Sequence, residues 1–148
     1  MPSPPAPPSK TANAARARTT DAAPDTAKVT RACVLAILVP GLGHMVVGQS
    51  RKAGVFFVVL MTMFAIGLAF GGGFLPFATD EPLVFLGAAA QWVVFLPRLL
   101  AGFAGLGVGA VTAVTYDYGN TFLIVAGLLN TVITLDVFDL ATGRKRPS

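Results

Sequence analysis

Residues 53–79, AGVFFVVLMTMFAIGLAFGGGFLPFAT, run for 27 positions without a charged side chain. A hydrocarbon core of about 30 Å needs about 20 helical residues to cross it. The run therefore predicts one membrane-spanning helix, which the glycines at 71–73 and Pro76 are suited to end. The four-residue spacing of Gly67 and Gly71 predicts a small-residue face for close helix packing.

The composition of the whole chain indicates that lipid is part of its solvent. Of its 148 residues, 54% are hydrophobic and 12% are charged, and the mean hydropathy is +0.70. One core of a soluble domain of this length cannot bury so much apolar surface. Other stretches without Asp, Glu, Lys or Arg are 32–50, 82–97, 99–116 and 118–135. We therefore predict an all-α polytopic integral membrane bundle with about four transmembrane helices.

The charges indicate a lipid partner and exclude several other classes. The net charge is +4, but the basic residues cluster at segment ends, where they set orientation and meet anionic lipid. We expect a lipid bilayer as partner and no nucleic acid. With one cysteine and one histidine in the chain, no intrachain disulfide can form, and we expect no metal or cofactor. Phosphate-loop, HExxH and GxSxG motifs are absent, so we expect no enzyme.

Composition also predicts three parts of the chain. Residues 1–28 hold six of the eleven prolines and little that could be buried, which is typical of a disordered tail. Residues 29–143 form the predicted helical membrane domain. Residues 144–148 form a basic tail after Gly143, and we expect both tails on the cytoplasmic side.

The first apolar run contains a backbone hinge that leaves two topologies open. Its hinge residues are Pro40, Gly41, Gly43 and Gly48. As a single kinked span, the run would place Arg51 and Lys52 outside, against the positive-inside trend. As a re-entrant hairpin it would place them inside with Arg98, and Asp80 and Glu81 outside.

A second ambiguity lies at Pro97-Arg98. Either one helix continues through Pro97 with a buried arginine, or two short helices turn around at this dipeptide. The last apolar run is expected to follow a turn at residues 116–120 and to end at Gly143.

Four polar residues in apolar runs are candidate sites. His44 is either a cap for backbone groups freed by the hinge or a proton or ligand site. Asp136 and Asp139 have no Lys or Arg three or four positions on, so we predict an ion pair with Arg51, Lys52 or Arg98. Asn130 lies with Gly127, Thr131 and Thr134 on a face suited to interhelical hydrogen bonds.

Two motifs resemble those of known families. PGLGHMVVGQSRKAG, residues 40–54, resembles a PGxG[HQ]xxxG signature that joins two membrane segments, distantly similar to the two-helix transmembrane domain family. The segment from 116 to 145 resembles the carboxyl-terminal part of a bacterial family of small multi-span membrane proteins of unknown function. The resemblance implies a multi-pass protein of the bacterial inner membrane, without assigned activity and with no catalytic residue to transfer.

The function predicted from the sequence is that of an accessory or scaffold subunit. Glycine-rich faces would pack against a membrane-protein partner or a second copy of the chain. The alternative is a small transporter or a proton- or cation-conducting protein that uses His44 with Asp136 or Asp139.

Overall fold

A computed structural model describes residues 25–145. This part of the chain is helical and has no strand, apart from one isolated bridge between Gly73 and Val108. The all-α prediction is therefore confirmed for it, whereas residues 1–24 and 146–148 of the predicted tails lie outside the described range. The helices are α1 Thr26–Leu38, α2 Leu42–Val46, α3 Ser50–Ala69, α4 Pro82–Trp92, α5 Phe95–Phe103 and α6 Tyr116–Ala141.

Two of these helices are long and apolar enough to cross a membrane. They are α3, with a mean hydropathy of 2.0, and α6, with a mean hydropathy of 1.9. A third crossing results if α4 and α5, which are bent by 95° relative to each other, count as one span. The described residues thus support two or three spans, and the predicted number of four is not confirmed.

The two long helices pack against each other in opposite directions. Leu60 of α3 shares a buried cluster with Ala126 and Ile133 of α6. Nearer the other end, a Cβ added to Gly67 would come within 2.8 Å of Leu123, so this glycine permits close contact between the two helices. As predicted, α3 ends in the glycine run, where Gly71 has a φ of 81°.

The first apolar run folds back on itself. Val39 is extended, and Gly41 follows Pro40 with a φ of 86°, a conformation that side-chain-bearing residues rarely adopt. The short helix α2 then packs closely on α1: a Cβ added to Gly43 would lie only 2.5 Å from the carbonyl oxygen of Ala32. In one continuous helix these residues would be about 16 Å apart. The chain therefore has the hairpin arrangement, and the single kinked span is wrong.

The predicted tail ends earlier than expected. The helix α1 begins at Thr26, inside the segment 1–28. The side chain of Asp25 accepts hydrogen bonds from the backbone N–H of Ala27 at 3.1 Å and of Lys28 at 3.4 Å. This cap supplies partners for N–H groups that a helix start otherwise leaves unpaired, so the last residues of the segment are ordered.

A second bent helix pair, called the second hairpin below, is formed by α4 and α5, which meet at 95°. Two short helices are present, as one of the two alternatives expected, but their break lies at residues 93–94 and not at Pro97-Arg98. The single helix that continues through Pro97 is wrong. The ring of Pro97 would collide with the carbonyl of Val93 in a continuous helix. As the third residue of α5, Pro97 occupies a first turn, where N–H groups have no intrahelical acceptor. The proline is therefore tolerated in the first turn of the second helix of the pair.

The stretch 99–116 is not a transmembrane helix. The helix α5 ends at Phe103, and the following connection holds three glycines with positive φ at positions 105, 107 and 109. The small-residue pair Gly105 and Gly109 therefore lies in a loop. The expected turn at 116–120 is wrong as well, since these residues begin α6. The stop at Gly143, with a φ of 74°, is as predicted.

Candidate functional site at the junction of two helical hairpins

The two hairpins approach α6 from opposite ends. Gly87 and Ala90 of α4 lie against Ile124 and Gly127, so α4 follows α6 from its start toward its middle. Gly43 of the first hairpin lies against Val137, in the later half of α6. The hairpin of α1 and α2 therefore covers the second half of α6, and the hairpin of α4 and α5 begins beside the first half.

The two hairpins meet at Asn130, near the middle of α6. Its side-chain nitrogen donates hydrogen bonds to the carbonyl oxygen of Ala36 at 3.0 Å and to that of Val93 at 2.9 Å. Both carbonyls lie where a helix ends, so they lack their usual helical donors. Asn130 is fully buried, and its oxygen has no hydrogen-bond partner within residues 25–145. One amide thus joins α1, the α4–α5 break and α6.

The other polar residues of this face serve only their own helix. The hydroxyl of Thr131 donates to the carbonyl of Gly127 at 3.1 Å, and that of Thr134 donates to the carbonyl of Asn130 at 2.8 Å. Gly127 is in close contact with α4, because an added Cβ would overlap the carbonyl of Ala90. Of the four residues predicted for interhelical packing, Asn130 and Gly127 therefore make the interhelical contacts.

His44 pairs with Asp136. The ring atom Nε2 lies 3.0 Å from Oδ2 of the carboxylate, and the imidazole is fully buried. The ring of Phe56 meets it edge-on at 4.9 Å between centroids. Within the described part of the chain, Nδ1 has no hydrogen-bond partner. The interpretation of His44 as a backbone cap is therefore wrong, because the partner of its ring is a carboxylate.

Asp136 joins the first hairpin to the end of the chain. One carboxylate oxygen faces His44, and the other accepts a hydrogen bond from the ammonium group of Lys145. That hydrogen bond and the charge of Asp136 raise the pKa of Lys145 above its ordinary value of 10.5. Asp139 lies 3.9 Å from the guanidinium of Arg144, and both are well exposed.

These partners come from a segment that the sequence interpretation assigned to a tail. The chain reverses after Gly143, and the N–H of Lys145 donates to the carbonyl of Asp139 at 3.2 Å. The reversal brings Lys145 back beside Asp136, nine positions earlier. A search limited to neighbours three and four positions away could not find a pair that depends on a turn beyond the helix.

Arg98 belongs to the second hairpin. Its guanidinium donates to Oε1 of Gln91 at 2.8 Å and lies over the rings of Phe74 and Trp92, 4.4 and 4.8 Å from their centroids. Gln91 also binds Gly73, which lies beside the start of α6 and the end of α3. Arg98 therefore lies toward that end of the bundle, and the prediction that it lies at the same level as Arg51 and Lys52 is wrong. Arg98 is therefore not the predicted partner of the aspartates.

The other two predicted partners lie at the start of α3. Arg51 is exposed, and Lys52 lines one groove with Asp136 and Lys145. An ion pair of Arg51 or Lys52 with an aspartate stays a prediction.

Gln91 is a buried polar residue that the sequence interpretation missed. It is 2% exposed. Its oxygen also accepts from the N–H of Leu75 at 2.9 Å, and its nitrogen donates to the carbonyl of Gly73 at 3.2 Å. Asn120 accepts from the N–H of Gly73 at 2.8 Å. A lone glutamine in an apolar run was the available signal, since a buried amide needs partners.

The described residues provide one imidazole–carboxylate pair and no group of three metal ligands. Among residues 25–145, no three His, Cys, Asp or Glu side chains are grouped so that they could hold a metal ion. The buried imidazole of His44 and the partly exposed carboxylate of Asp136 on α6 form a pair of the kind that can share or transfer a proton.

A comparison with known families assigns the chain to one of them. Residues 31–146 match the family of unknown function DUF6677. The chain belongs to this family. Comparisons with curated proteins and with solved structures find no match. The DUF6677 match covers the hinge motif, the first hairpin from residue 31 onward, the second hairpin and Lys145, and it agrees with the expectation of a family without assigned activity.

Proposed function

We propose that this chain is a small membrane transport protein that moves protons or another small cation, with His44 and Asp136 as the charge-carrying pair. The observation that carries the proposal is the 3.0 Å contact between Nε2 of a fully buried imidazole and a carboxylate oxygen. Ionisable groups buried in transmembrane bundles are expensive to keep, and they are functional candidates for that reason.

The pair can take up and release one proton without breaking its hydrogen bond. If Nε2 carries the hydrogen and donates to Asp136, the unprotonated Nδ1 of His44 is the position at which a proton binds. Uptake converts the imidazole to an imidazolium that is ion-paired with the carboxylate, and release at Nδ1 restores the neutral ring.

The opposed hairpins support a transport role. Secondary transporters commonly contain discontinuous helices that meet near mid-membrane. Non-helical backbone at that depth requires protein or water around it, and the amide of Asn130 serves the carbonyls of Ala36 and Val93. Movement of either hairpin would therefore act on the same buried residue.

We place the protein in the bacterial inner membrane with both termini in the cytoplasm. The support is the charge distribution, since Arg51, Lys52, Arg144 and Lys145 all lie at the end where α3 begins and α6 ends. Basic clusters of this kind are retained on the cytoplasmic side. The bacterial origin rests on the resemblance of the hinge motif and the carboxyl-terminal segment.

Flux measurements in proteoliposomes test the transport proposal. The full chain is reconstituted with an enclosed pH-sensitive dye, and proton flux is recorded under an imposed gradient. We expect His44→Gln and Asp136→Asn to reduce the flux to that of protein-free liposomes. Asp139→Asn is the matched control and should keep it, because Asp139 is exposed and pairs with Arg144. Equal flux in all variants and in protein-free liposomes, for protons and for alkali cations, would contradict the proposal.

A second candidate is an accessory subunit, and the loop between α5 and α6 favours it. The side chains of Val108, Val111 and Val114 are 87%, 73% and 94% exposed on backbone that is not helical. Adjacent exposed apolar side chains of this kind mark candidate contact surfaces, and a membrane-protein partner would cover this loop. The glycine-rich faces expected to bind a partner are not free to do so at these positions, because Gly67, Gly72 and Gly127 contact other parts of the chain itself.

Crosslinking distinguishes this candidate from an autonomous transporter. A photoreactive label is attached to Val111→Cys in a Cys33→Ala background, in native membranes. A specific adduct there, absent with the label at Val58→Cys on the lipid-facing side of α3, supports an accessory role. A protein that stays monomeric and free of adducts after mild detergent extraction excludes it.

A further inference from the structure

A groove between α3 and α6 has the form of a phospholipid site. It has a volume of about 470 Å³ and is lined by apolar side chains that include Val55, Val59 and Val132, with Lys52, Asp136 and Lys145 among its charged lining residues. Val55 and Val132 are 59% and 62% exposed, so the groove opens on the surface of the helix pair.

The apolar and charged parts of the groove are ordered along its length. On α3 the apolar lining residues come after Lys52 and extend to Leu60. On α6 they begin at Leu129 and come before Asp136. Because the helices run in opposite directions, both apolar stretches extend from the charged end toward mid-membrane. Eight residues of α3 give about 12 Å of apolar lining. This order matches a phospholipid with its headgroup at the helix ends and an acyl chain along the helices.

The charged end is complementary to an anionic headgroup. Arg51, Lys52, Arg144 and Lys145 bring four positive charges to this end of the molecule, against the two carboxylates of Asp136 and Asp139. Lys145 is 55% exposed while it binds Asp136. An ammonium group has three donors, so Lys145 can bind a phosphate oxygen and keep its hydrogen bond to the carboxylate.

We propose that this groove binds one anionic phospholipid, with its phosphate at Lys145 and Lys52 and an acyl chain between Val59 and Val132. The inference requires that α3 and α6 lie in a membrane and is independent of the proposed transport activity. The bound lipid would contact the start of α3 and the end of α6, which includes Asp136.

Lipid titration of the full chain in detergent tests the site. Native mass spectrometry follows the binding of phosphatidylglycerol and of phosphatidylcholine with the same acyl chains. We expect one phosphatidylglycerol to bind more tightly than phosphatidylcholine, and Lys145→Gln to weaken it about fivefold, the effect of one basic residue near anionic lipid. Arg31→Gln, which removes the same charge from the exposed face of α1, should change the affinity much less. Equal binding of the two lipids, or equal effects of the two variants, would overturn the proposal.

Two further arms separate the acyl chain from the headgroup. Val132→Trp fills the groove and should abolish the bound lipid, whereas Val58→Trp, exposed on α3 outside the groove, should retain it. Thermal unfolding of both variants verifies that they are folded. Glycerophosphoglycerol, which carries the headgroup without acyl chains, should not compete at the lipid's concentration. Retention by Val132→Trp, or equal competition by the free headgroup, would show that no acyl-chain site exists there.

Discussion

Gly127 of α6 lies directly against the carbonyl of Ala90 in α4, with no room for a side chain between the two backbones. We expect Gly127→Ala to separate the helices and to destabilise the fold by about 1–3 kcal/mol, the usual cost of overpacking. Thermal unfolding in detergent micelles measures this change. Gly54→Ala is the control, because nothing lies within 4 Å of its added Cβ, and alanine in a helix should add about 0.5–1 kcal/mol. Equal effects of the two substitutions would contradict the close approach of α4 and α6.

Asn130 should contribute stability through its two interhelical hydrogen bonds. Asn130→Leu keeps a similar volume but removes the donors to Ala36 and Val93. Interhelical hydrogen bonds in membranes contribute about 0.6–1.7 kcal/mol each, so we expect a loss of about 1–3 kcal/mol in the free energy of unfolding. Thr131→Val removes a hydroxyl that bonds only within α6 and should cost much less. If Asn130→Leu unfolds like the wild type, the two hairpins do not depend on this amide.

Gln91 and Arg98 should be energetically coupled. Gln91→Leu leaves the guanidinium of Arg98 without its 2.8 Å acceptor, which we expect to cost about 1.5–3 kcal/mol, as for hydrogen bonds to charged groups. A double-mutant cycle with Arg98→Leu measures the coupling. The loss in the free energy of unfolding should be smaller in the double variant than the sum of the two single losses, by about 0.5 kcal/mol or more. Additive losses would show that the two side chains do not interact.

The pair of Lys145 and Asp136 should respond to alkaline pH. The carboxylate raises the pKa of Lys145 above 10.5, so the charged amine is favoured in the folded state. The resulting stabilisation is fully present below the unfolded pKa of about 10.4 and is lost as the pH rises through the higher folded value. We expect the difference in thermal stability between wild type and Lys145→Gln to be constant from pH 7 to about 10 and to shrink above that. A difference that disappears between pH 7 and 9 would contradict the pair.

Local patterns predicted the two long helices and where they end, but not where α6 begins. The charge-free run of α3 and the glycines after it located one helix and its end, and Gly143 located the end of α6. These features depend on the length of apolar runs and on glycine conformation, which neighbours in sequence determine. Hydropathy alone could not show that 99–116 contains a loop, because Gly105, Gly107 and Gly109 leave the run as apolar as a helix.

The candidate site could be predicted only in part. The hinge at Pro40-Gly41 allowed a hairpin, but the choice depended on the contact between Gly43 and Ala32, which no local pattern encodes. His44 and Asp136 were both singled out, yet their pairing depends on the path of that hairpin. The contribution of Lys145 depends on a reversal beyond the last helix. Long-range contacts of this kind follow from the packing of the whole bundle.

Cysteine accessibility tests whether the two helical hairpins enter the membrane from opposite sides and meet at Asn130. Single cysteines replace Lys28, Arg51, Asp80 and Leu106, all exposed, in a Cys33→Ala background, and sealed vesicles are treated with a membrane-impermeant maleimide. We expect Lys28→Cys and Arg51→Cys to react from one side of the membrane, and Asp80→Cys and Leu106→Cys to react from the other. Reaction of Lys28→Cys and Arg51→Cys from opposite sides would contradict this arrangement, because the first apolar run would then cross the membrane.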